Sequence, residues 1–502
     1  MSRLRPRARN PITLAELASR VGGTIDPATG SVEISGVSLS TTRIEQGDLY
    51  AALPGTRVHG ARFAPDAVEA GALAILTDAD GAALATGVAP ILQVANPRAV
   101  LGEIAAEVYH RPSERLRMLG VTGTQGKTTT TRLLEAALEA AGVRAAVIGT
   151  VGTRINGEAL ETALTTPEAP DLQGILAVMC EQDVEVCTME ASSHALVLGR
   201  VDGVVFDIAA FTNLGRDHLD FHETVEEYFE AKAELFTLAR ARRGLINIDD
   251  EHGRQILERG AIPMSSFSTQ GATATWQAVD IVEDPAGSDF RVLGPDGINL
   301  VTRVNIPGVY NVSNALCALA LGIEGGFEPD AVGRGLASVS GVPGRLERIT
   351  GGGPDAPQVF VDYAHKPDAV TAALRALRPL AQGQLVIVIG AGGDRDSGKR
   401  PMMGAAAAEL ADRVIVTDDN PRSEDPALIR AAVVDGARAV GRAQVHQIAD
   451  RHEAILEAIT SSGAGDIVVI AGKGHETGQE IAGIVHPFDD GDEARAALGR
   501  SS

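Results

Sequence analysis

Gly123-Thr124-Gln125-Gly126-Lys127-Thr128-Thr129 follows a short apolar run at residues 118–121 and opens a helical pattern at Lys127. A glycine-rich turn between a strand and a helix brings backbone N–H groups and the helix N-terminus onto phosphate oxygens. The lysine adds a point charge there, and the next threonine offers a hydroxyl to Mg²⁺. The common phosphate loop has four residues between its glycines. Here the position five before Gly126 is Val121, so the pattern is a shorter Gly-x-x-Gly-Lys-Thr-Thr variant. Leu133, Leu134, Ala137, Leu138 and Ala141 recur at helical spacing until Gly142 stops the run. The stretch predicts strand, phosphate-binding turn and helix, hence an α/β unit that binds ATP.

Working outward, a chain of 502 residues is too long for one core, and length alone suggests roughly three domains. We place them at residues 1–111, 112–342 and 343–502. In the first, residues 14–21 read as helix and 32–38, 72–76 and 91–94 as strands, before Arg111-Pro112 breaks the pattern. In the second, strands at 145–149, 184–188, 204–211 and 245–248 alternate with helical segments, which indicates a mostly parallel sheet. The third begins after Val342-Pro343-Gly344-Arg345 and has strands at 359–361, 385–389, 414–416 and 467–470. Each of these runs directly into polar residues: Asp362-Tyr363-Ala364-His365, then 390–399, 418–422 and 472–476. Ligands of open α/β sheets bind outside the carboxyl ends of strands, so this edge reads as a binding face.

Acidic residues outnumber basic ones by 66 to 44, for a formal net charge of −22. A broad basic surface for nucleic acid is therefore excluded, and anionic ligands need local clusters. Cys180, Cys187 and Cys317 have the spacing of neither a disulfide framework nor a zinc site and read as core residues. No apolar run approaches the roughly 20 residues needed to span a bilayer. The basic start, with Arg3, Arg5, Arg7 and Arg9, lacks a following apolar stretch. We expect a cytoplasmic protein without membrane insertion, beginning with a disordered basic segment.

The strand at 184–188 leads into Met189-Glu190-Ala191-Ser192-Ser193-His194. A carboxylate at a strand end near a phosphate loop suits nucleotide-bound Mg²⁺, which keeps waters and takes one or two protein carboxylates. The alternative is a turn carboxylate, with the serines capping the next helix. Asp217 and His218 lie in a further polar cluster, residues 212–220. In the helical stretch 223–238, Lys232 shares the face of Tyr228, Leu235 and Phe236. A core-facing lysine loses hydration, and its neutral amine can take up CO₂ to become a metal-binding carbamate. Spacing alone favours the other reading, a snorkelling lysine with only its stem covered.

Together with Asn311, Asn314, Gly344-Arg345, Gly392-Gly393-Asp394-Arg395 and Asp419-Asn420-Pro421-Arg422, these residues resemble the Mur ligase family. Within it, the chain is most similar to the members that add the third residue of the peptidoglycan stem peptide. The resemblance implies three α/β domains, with a central P-loop domain and a Rossmann-like C-terminal domain, in a monomer. It implies an amide ligase using ATP and Mg²⁺ on UDP-MurNAc-L-Ala-D-Glu and meso-diaminopimelate, with L-lysine as the alternative amino acid.

In that reading Gly123, Thr124, Gln125, Gly126, Lys127, Thr128 and Thr129 bind ATP phosphates, and Asn311, Asn314, Arg345 and Asp362 complete the nucleotide site. Lys127, Glu190, His218 and Lys232 are catalytic. Thr128, Glu190, His218 and a carbamylated Lys232 serve the metal. Ser40, Thr41, His59, Thr165, Thr166, Ser192 and Arg200 contact the UDP-sugar peptide, and Arg395, Asp419, Asn420, Pro421, Arg422, Gly472 and Glu476 hold the amino acid. The chain departs from the family pattern at Gln125, Leu198 and Ser40-Thr41-Thr42.

Arg422 is the expected discriminator, because a guanidinium fork binds a distal carboxylate and repels a distal ammonium; the plainer alternative is a loop brace. A folylpolyglutamate synthetase would run the same nucleotide chemistry, but the extra first domain and Asp419-Asn420-Pro421-Arg422 speak against it. A nucleotide-driven switch would hydrolyse ATP without needing an amino acid.

Overall fold

The computed structural model describes residues 4–500 except Ala163, Arg216, Leu219 and Asp220, with Arg500 described by its backbone alone. Arg3 of the basic start and part of the 212–220 cluster therefore lie outside the described residues. The chain divides into two compact units, one running to Gln277 and including Cys317–Gly335, the other formed by Ala278–Leu316 and the residues from Leu336 onward.

The first unit begins with parallel strands in the order Gly36–Ser38, Asp48–Ala51, Ala72–Thr77, Ile91–Gln93. Leu14, Leu49, Leu76, Leu101 and Ile104 fill their core. The stretch expected as one strand at 32–38 divides in two: Glu33–Ile34 pairs with Ile12–Thr13, and only Gly36–Ser38 joins the parallel sheet. From Leu4 onward the basic start is ordered, contrary to expectation. Arg5 donates from Nη1 to both carboxylate oxygens of Asp48 at 2.7 Å, the Arg7 and Ala8 N–H groups donate to Glu181, and Arg9 pairs with Glu45. Asp48 is fully buried in its strand, and a buried carboxylate is costly unless charge-paired, so this segment is held by the fold's own need for a cation.

A larger sheet follows, with neighbouring parallel strands Ala145–Gly149, Val186–Glu190, Arg117–Thr122, Ile208–Phe211, Gly244–Asn247 and Met264–Ser268. The expected parallel sheet is present, with two strands displaced. Val186–Glu190 starts two residues late because Asp183, at φ 54°, and the Val184 N–H, bonded to Met179 O, finish the preceding helix Ala169–Glu181. Ile208–Phe211 starts late because Val204 N–H closes a turn on Val201 O. The first displacement puts Glu190 on the last strand residue.

The second unit carries strands in the order Glu347–Ile349, Gln358–Asp362, Ile467–Ala471, Leu385–Ile389, Arg413–Val416, Gln444–Gln447, parallel except for the first. Four adjacent parallel strands thus deliver the four polar loops singled out from sequence to one edge. Two antiparallel hairpins, Gly287–Leu293 with Asn299–Val304 and Gly478–Ile481 with Ile484–Pro487, were not assigned from sequence. Among the described residues no helix is long and apolar enough to cross a membrane. Cys187 and Cys317 are buried and Cys180 half-buried, all as free thiols.

Candidate active site

The phosphate-type loop joins strand Arg117–Thr122 to helix Lys127–Ala140, and Gly126 caps that helix at φ 87°. Gly123 has φ 147°, and a Cβ there would lie 2.0 Å from Thr212 Oγ1, so Gly123 is sterically required, while Gly126 lies in the left-handed region that favours glycine. The loop apex is tied to the next strand end. Gln125 N–H donates to Asn213 Oδ1 at 2.9 Å, Asn213 Nδ2 to Gln125 O at 3.1 Å, and Thr212 Oγ1 to Gln125 O at 2.6 Å. Lys127 Nζ donates to Gly123 O at 2.7 Å and to Thr124 O at 3.1 Å. Thr128 and Thr129 occupy the first helical turn, whose N–H groups have no intrahelical acceptor and suit an anion.

Lys232 comes from helix Val225–Ala233, which tightens into a 3₁₀ turn at Glu234–Phe236 and so stops short of the expected residue 238. Its side chain is 1% exposed, donates from Nζ to Gly123 O at 2.9 Å and lies 4.4 Å from the Tyr228 ring centroid. The snorkelling reading is thereby overturned: the face meets the phosphate loop rather than the surface, and the ammonium is enclosed with the stem. Tyr228 Oη lies 3.1 Å from Thr124 Oγ1, and burial pushes the phenol well above its ordinary range. His218, at φ 53°, is held by Asp217 through Nε2 at 3.1 Å and stands edge-on to His194 at 4.8 Å.

Glu190 is buried, and Thr150 holds both of its oxygens, through N–H to Oε1 at 2.7 Å and through Oγ1 to Oε2 at 3.0 Å. Thr165 Oγ1 lies 3.2 Å from Thr150 Oγ1, and Thr166 Oγ1 donates to Glu190 O at 2.9 Å and to Ser192 Oγ at 3.4 Å. Ser192 also caps helix Ser193–Val197, so its capping and site readings are compatible. Arg200 donates to Thr166 O at 3.4 Å and pairs with Glu168 at 2.9 Å, where Arg98 joins it at 2.6 Å.

Thr165, Thr166, Ser192, Arg200 and Glu190 therefore form one network. Ser40 Oγ bonds Thr42 Oγ1 at 2.9 Å, Thr41 opens the turn Thr41–Arg43, and Arg43 reaches Asp171 at 2.9 Å. Both His59 nitrogens are engaged locally, Nδ1 by Ala61 N–H at 3.0 Å and Nε2 by Asp78 at 3.1 Å.

In the second unit, Asp362 ends its strand and accepts from the N–H groups of Leu346 at 2.7 Å and Ala364 at 2.9 Å. Burial pushes its carboxyl above the usual range, opposed by Arg345 and these two N–H groups. Arg345 lies over the Tyr363 ring at 4.6 Å. Asn314 Nδ2 donates to Asn311 Oδ1 at 3.1 Å on helix Val309–Glu324.

Asn420 Nδ2 donates to Glu476 Oε2 at 3.0 Å, and a Cβ on Gly472 would lie 2.5 Å from Asp419 Oδ2. Arg422, at φ 52°, donates from Nη1 to Gly393 O at 2.7 Å and pairs through Nε with Glu480 at 3.3 Å, while Pro421 is buried and Arg395 exposed. Sequence reasoning missed Thr150, Arg98, Glu168, Lys473 and Glu480, and placed Tyr228 only on the face of Lys232. Of the missed residues only Lys473 carried a local signal, lying inside the polar loop 472–476.

The family model described as "Mur ligase middle domain" matches residues 121–322, "Mur ligase, glutamate ligase domain" residues 344–474, and "Mur ligase family, catalytic domain" residues 33–109. A UDP-N-acetylmuramoyl-L-alanyl-D-glutamate--2,6-diaminopimelate ligase of Streptomyces coelicolor is 47% identical over 500 residues, covering 98% of each chain. A UDP-N-acetylmuramyl-tripeptide synthetase of Leifsonia xyli is 43% identical, covering 99% of this chain and 98% of the relative. The solved structure of a UDP-N-acetylmuramoyl-L-alanyl-D-glutamate--2,6-diaminopimelate ligase matches with a TM-score of 0.71 at 35% identity, covering 97% of this chain and 99% of that one.

Proposed function

The chain belongs to the Mur ligase family, and on that premise we infer that it is the ATP-dependent ligase that joins 2,6-diaminopimelate to UDP-N-acetylmuramoyl-L-alanyl-D-glutamate in peptidoglycan synthesis. The observation that carries the nucleotide chemistry is the loop at Gly123 to Thr129, with its two positive-φ glycines and Lys127 folded over it. An oxygen of the substrate's D-Glu γ-carboxylate attacks the γ-phosphorus of ATP, and ADP leaves. The amine of diaminopimelate then attacks the acyl carbon, loses a proton, and phosphate departs as the amide forms.

The first step brings anions together. Lys127 and the loop N–H groups offset that repulsion, and little else is asked of the protein. Mg²⁺ fits this chemistry: Thr128 and Glu190 offer oxygen donors, and the Thr150 hydrogen bonds orient the carboxylate while each oxygen keeps a second acceptor position. Held by those donors together with His218, the ion would neutralise developing phosphate charge. We assign Lys232 as a carbamate, supported by the burial of its amine against the phosphate loop.

Thr165, Thr166, Ser192 and Arg200 receive the sugar peptide, with Ser40, Thr41 and His59 toward its uridine end. We assign Asn311, Asn314, Arg345 and Asp362 to nucleotide binding, and the loops bearing Arg395, Asp419, Asn420, Pro421, Arg422, Gly472 and Glu476 receive the amino acid. We place the reaction in the cytoplasm, where ATP and nucleotide-activated precursors are found. ADP release tests this reading. It should require both the UDP-dipeptide and diaminopimelate, and ADP release at full rate without either one contradicts it.

A further inference from the structure

Lys473 is a lysine with no solvent exposure, lying between Gly472 and Gly474. Its ammonium donates to Asn420 Oδ1 at 2.8 Å and to Gly478 O at 2.7 Å, and it lies 3.5 Å from Asp419 Oδ1 and 4.0 Å from Glu476 Oε2. One buried cation thus ties together three segments: the loop after Arg413–Val416, the loop after Ile467–Ala471 and the strand Gly478–Ile481. Burying an ammonium is tolerated only when charge and hydrogen bonds offset it; here burial holds the Lys473 pKa below its ordinary value, opposed chiefly by Asp419 and then by Glu476. A group so enclosed does not touch a ligand.

We propose that Lys473 is a positioning residue for the incoming amino acid, keeping Glu476 ionised and aimed beside Asp419 so that Glu476 and Arg422 meet the amine and the carboxylate at its far end. This rests on the reading that these loops bind a diamino dicarboxylic acid. A distal centre carrying both charges calls for a matched pair, and the structure provides one: the Glu476 carboxylate, and an Arg422 guanidinium bridging Gly393 O and Glu480. Without Lys473, Asp419 and Glu476 would be two neighbouring carboxylates in a half-buried site, where like charges cannot both ionise cheaply.

Burial and Asp419 push the Glu476 carboxyl up, and Lys473, Asn420 and Arg422 oppose them. Tyr363 faces Glu476 as well. Behind Lys473, Arg451 and Asp490 are paired at 2.6 Å. Removing the Lys473 charge leaves protonation as the cheapest outcome for Glu476, and a neutral carboxyl no longer attracts an ammonium.

The test is steady-state ADP release by Lys473→Met and Lys473→Gln, with thermal unfolding alongside. The amino acid KM should rise about tenfold or more while kcat falls by less than about threefold, with the KM for ATP and for the UDP-dipeptide within about twofold. The raised KM should recover as pH increases and Glu476 re-ionises, which a purely structural defect would not produce. In the double variant, Lys473→Met should add little to the loss caused by Glu476→Gln alone. A fall in kcat with the amino acid KM unchanged, a pH-independent KM defect or additive losses would overturn the proposal. Failure of both variants to fold would overturn it too, by making Lys473 a fold residue. The wild type separates this proposal from its premise: turnover with lysine alone would end the diaminopimelate reading, and the KM split would then be read with lysine.

Discussion

At the end of strand Arg117–Thr122, Lys127 and Lys232 both donate to one backbone carbonyl, Gly123 O, at 2.7 and 2.9 Å. On the strand ends of the second unit, lysine and arginine side chains meet carboxylates instead: Lys473 with Asp419 and Glu476, Arg422 with Glu480. The first region is built from backbone shape, namely glycine conformations, carbonyls and amides pinned by Asn213. The second is built from matched side-chain charges. A polyphosphate carries charge of one sign spread over many oxygens, so converging N–H groups hold it by shape. An amino acid with charge of both signs needs paired opposites. The first region should therefore fail on steric change or loss of one cation, and the second on changes of charge.

The largest effect expected is in the first region. Lys127→Ala and Glu190→Ala should each lower ADP formation about a thousandfold or more with the fold intact, since each removes charge complementarity where phosphate charge moves. Near-normal turnover by either variant at saturating ATP would break the comparison at its root.

Next comes Lys232→Arg, which keeps the charge but cannot form a carbamate and should lose about a hundredfold or more. A crystal structure of the wild type grown with bicarbonate should show the modified side chain. An unmodified lysine together with an active Lys232→Arg enzyme removes the assignment.

A smaller, steric effect separates two glycines of one element. Gly123 and Gly142 both have positive φ, but a Cβ at Gly123 would meet Thr212 Oγ1 whereas Gly142 has open space. Gly142→Ala should cost about 1 kcal/mol in denaturant unfolding and Gly123→Ala about 3 kcal/mol, strain plus overlap. Equal costs would mean that the loop is not sterically defined.

The smallest effect sharpens the second region. Burial, then repulsion from Lys366 and Lys399, lowers the His365 imidazole to about 4. Between that value and an ordinary value of about 6.5, the unfolded chain binds a proton that the native state does not. Stability should therefore decline as pH falls from about 6.5 to 4, and His365→Gln should flatten that part of the profile. An unchanged slope in the variant would show that another group titrates.

How far the sequence could be read follows the same division. The phosphate loop is local, so its glycines, lysine and flanking strand and helix were readable, as were the polar loops that four adjacent strands bring to one edge. Thr150 was not, because it meets Glu190 across neighbouring strands from forty residues away. Lys232 was placed on the correct helical face, but periodicity cannot say what that face meets, and only packing turns a snorkelling lysine into an enclosed one. Arg5 reads as part of a disordered start because its partner, Asp48, is distant in sequence. The partners of Lys473 and Arg422 come from other strands, which composition does not reveal. The hairpin strands between residues 287 and 304 lead into no polar loop of the kind that drew attention elsewhere.

The central claim is tested most directly by offering the enzyme diaminopimelate, lysine and ornithine together at equal concentration, with ATP and the UDP-dipeptide, and weighing the tripeptide product. The product should carry diaminopimelate almost exclusively. A product carrying lysine or ornithine, or ADP release with no amino acid incorporated, would contradict it.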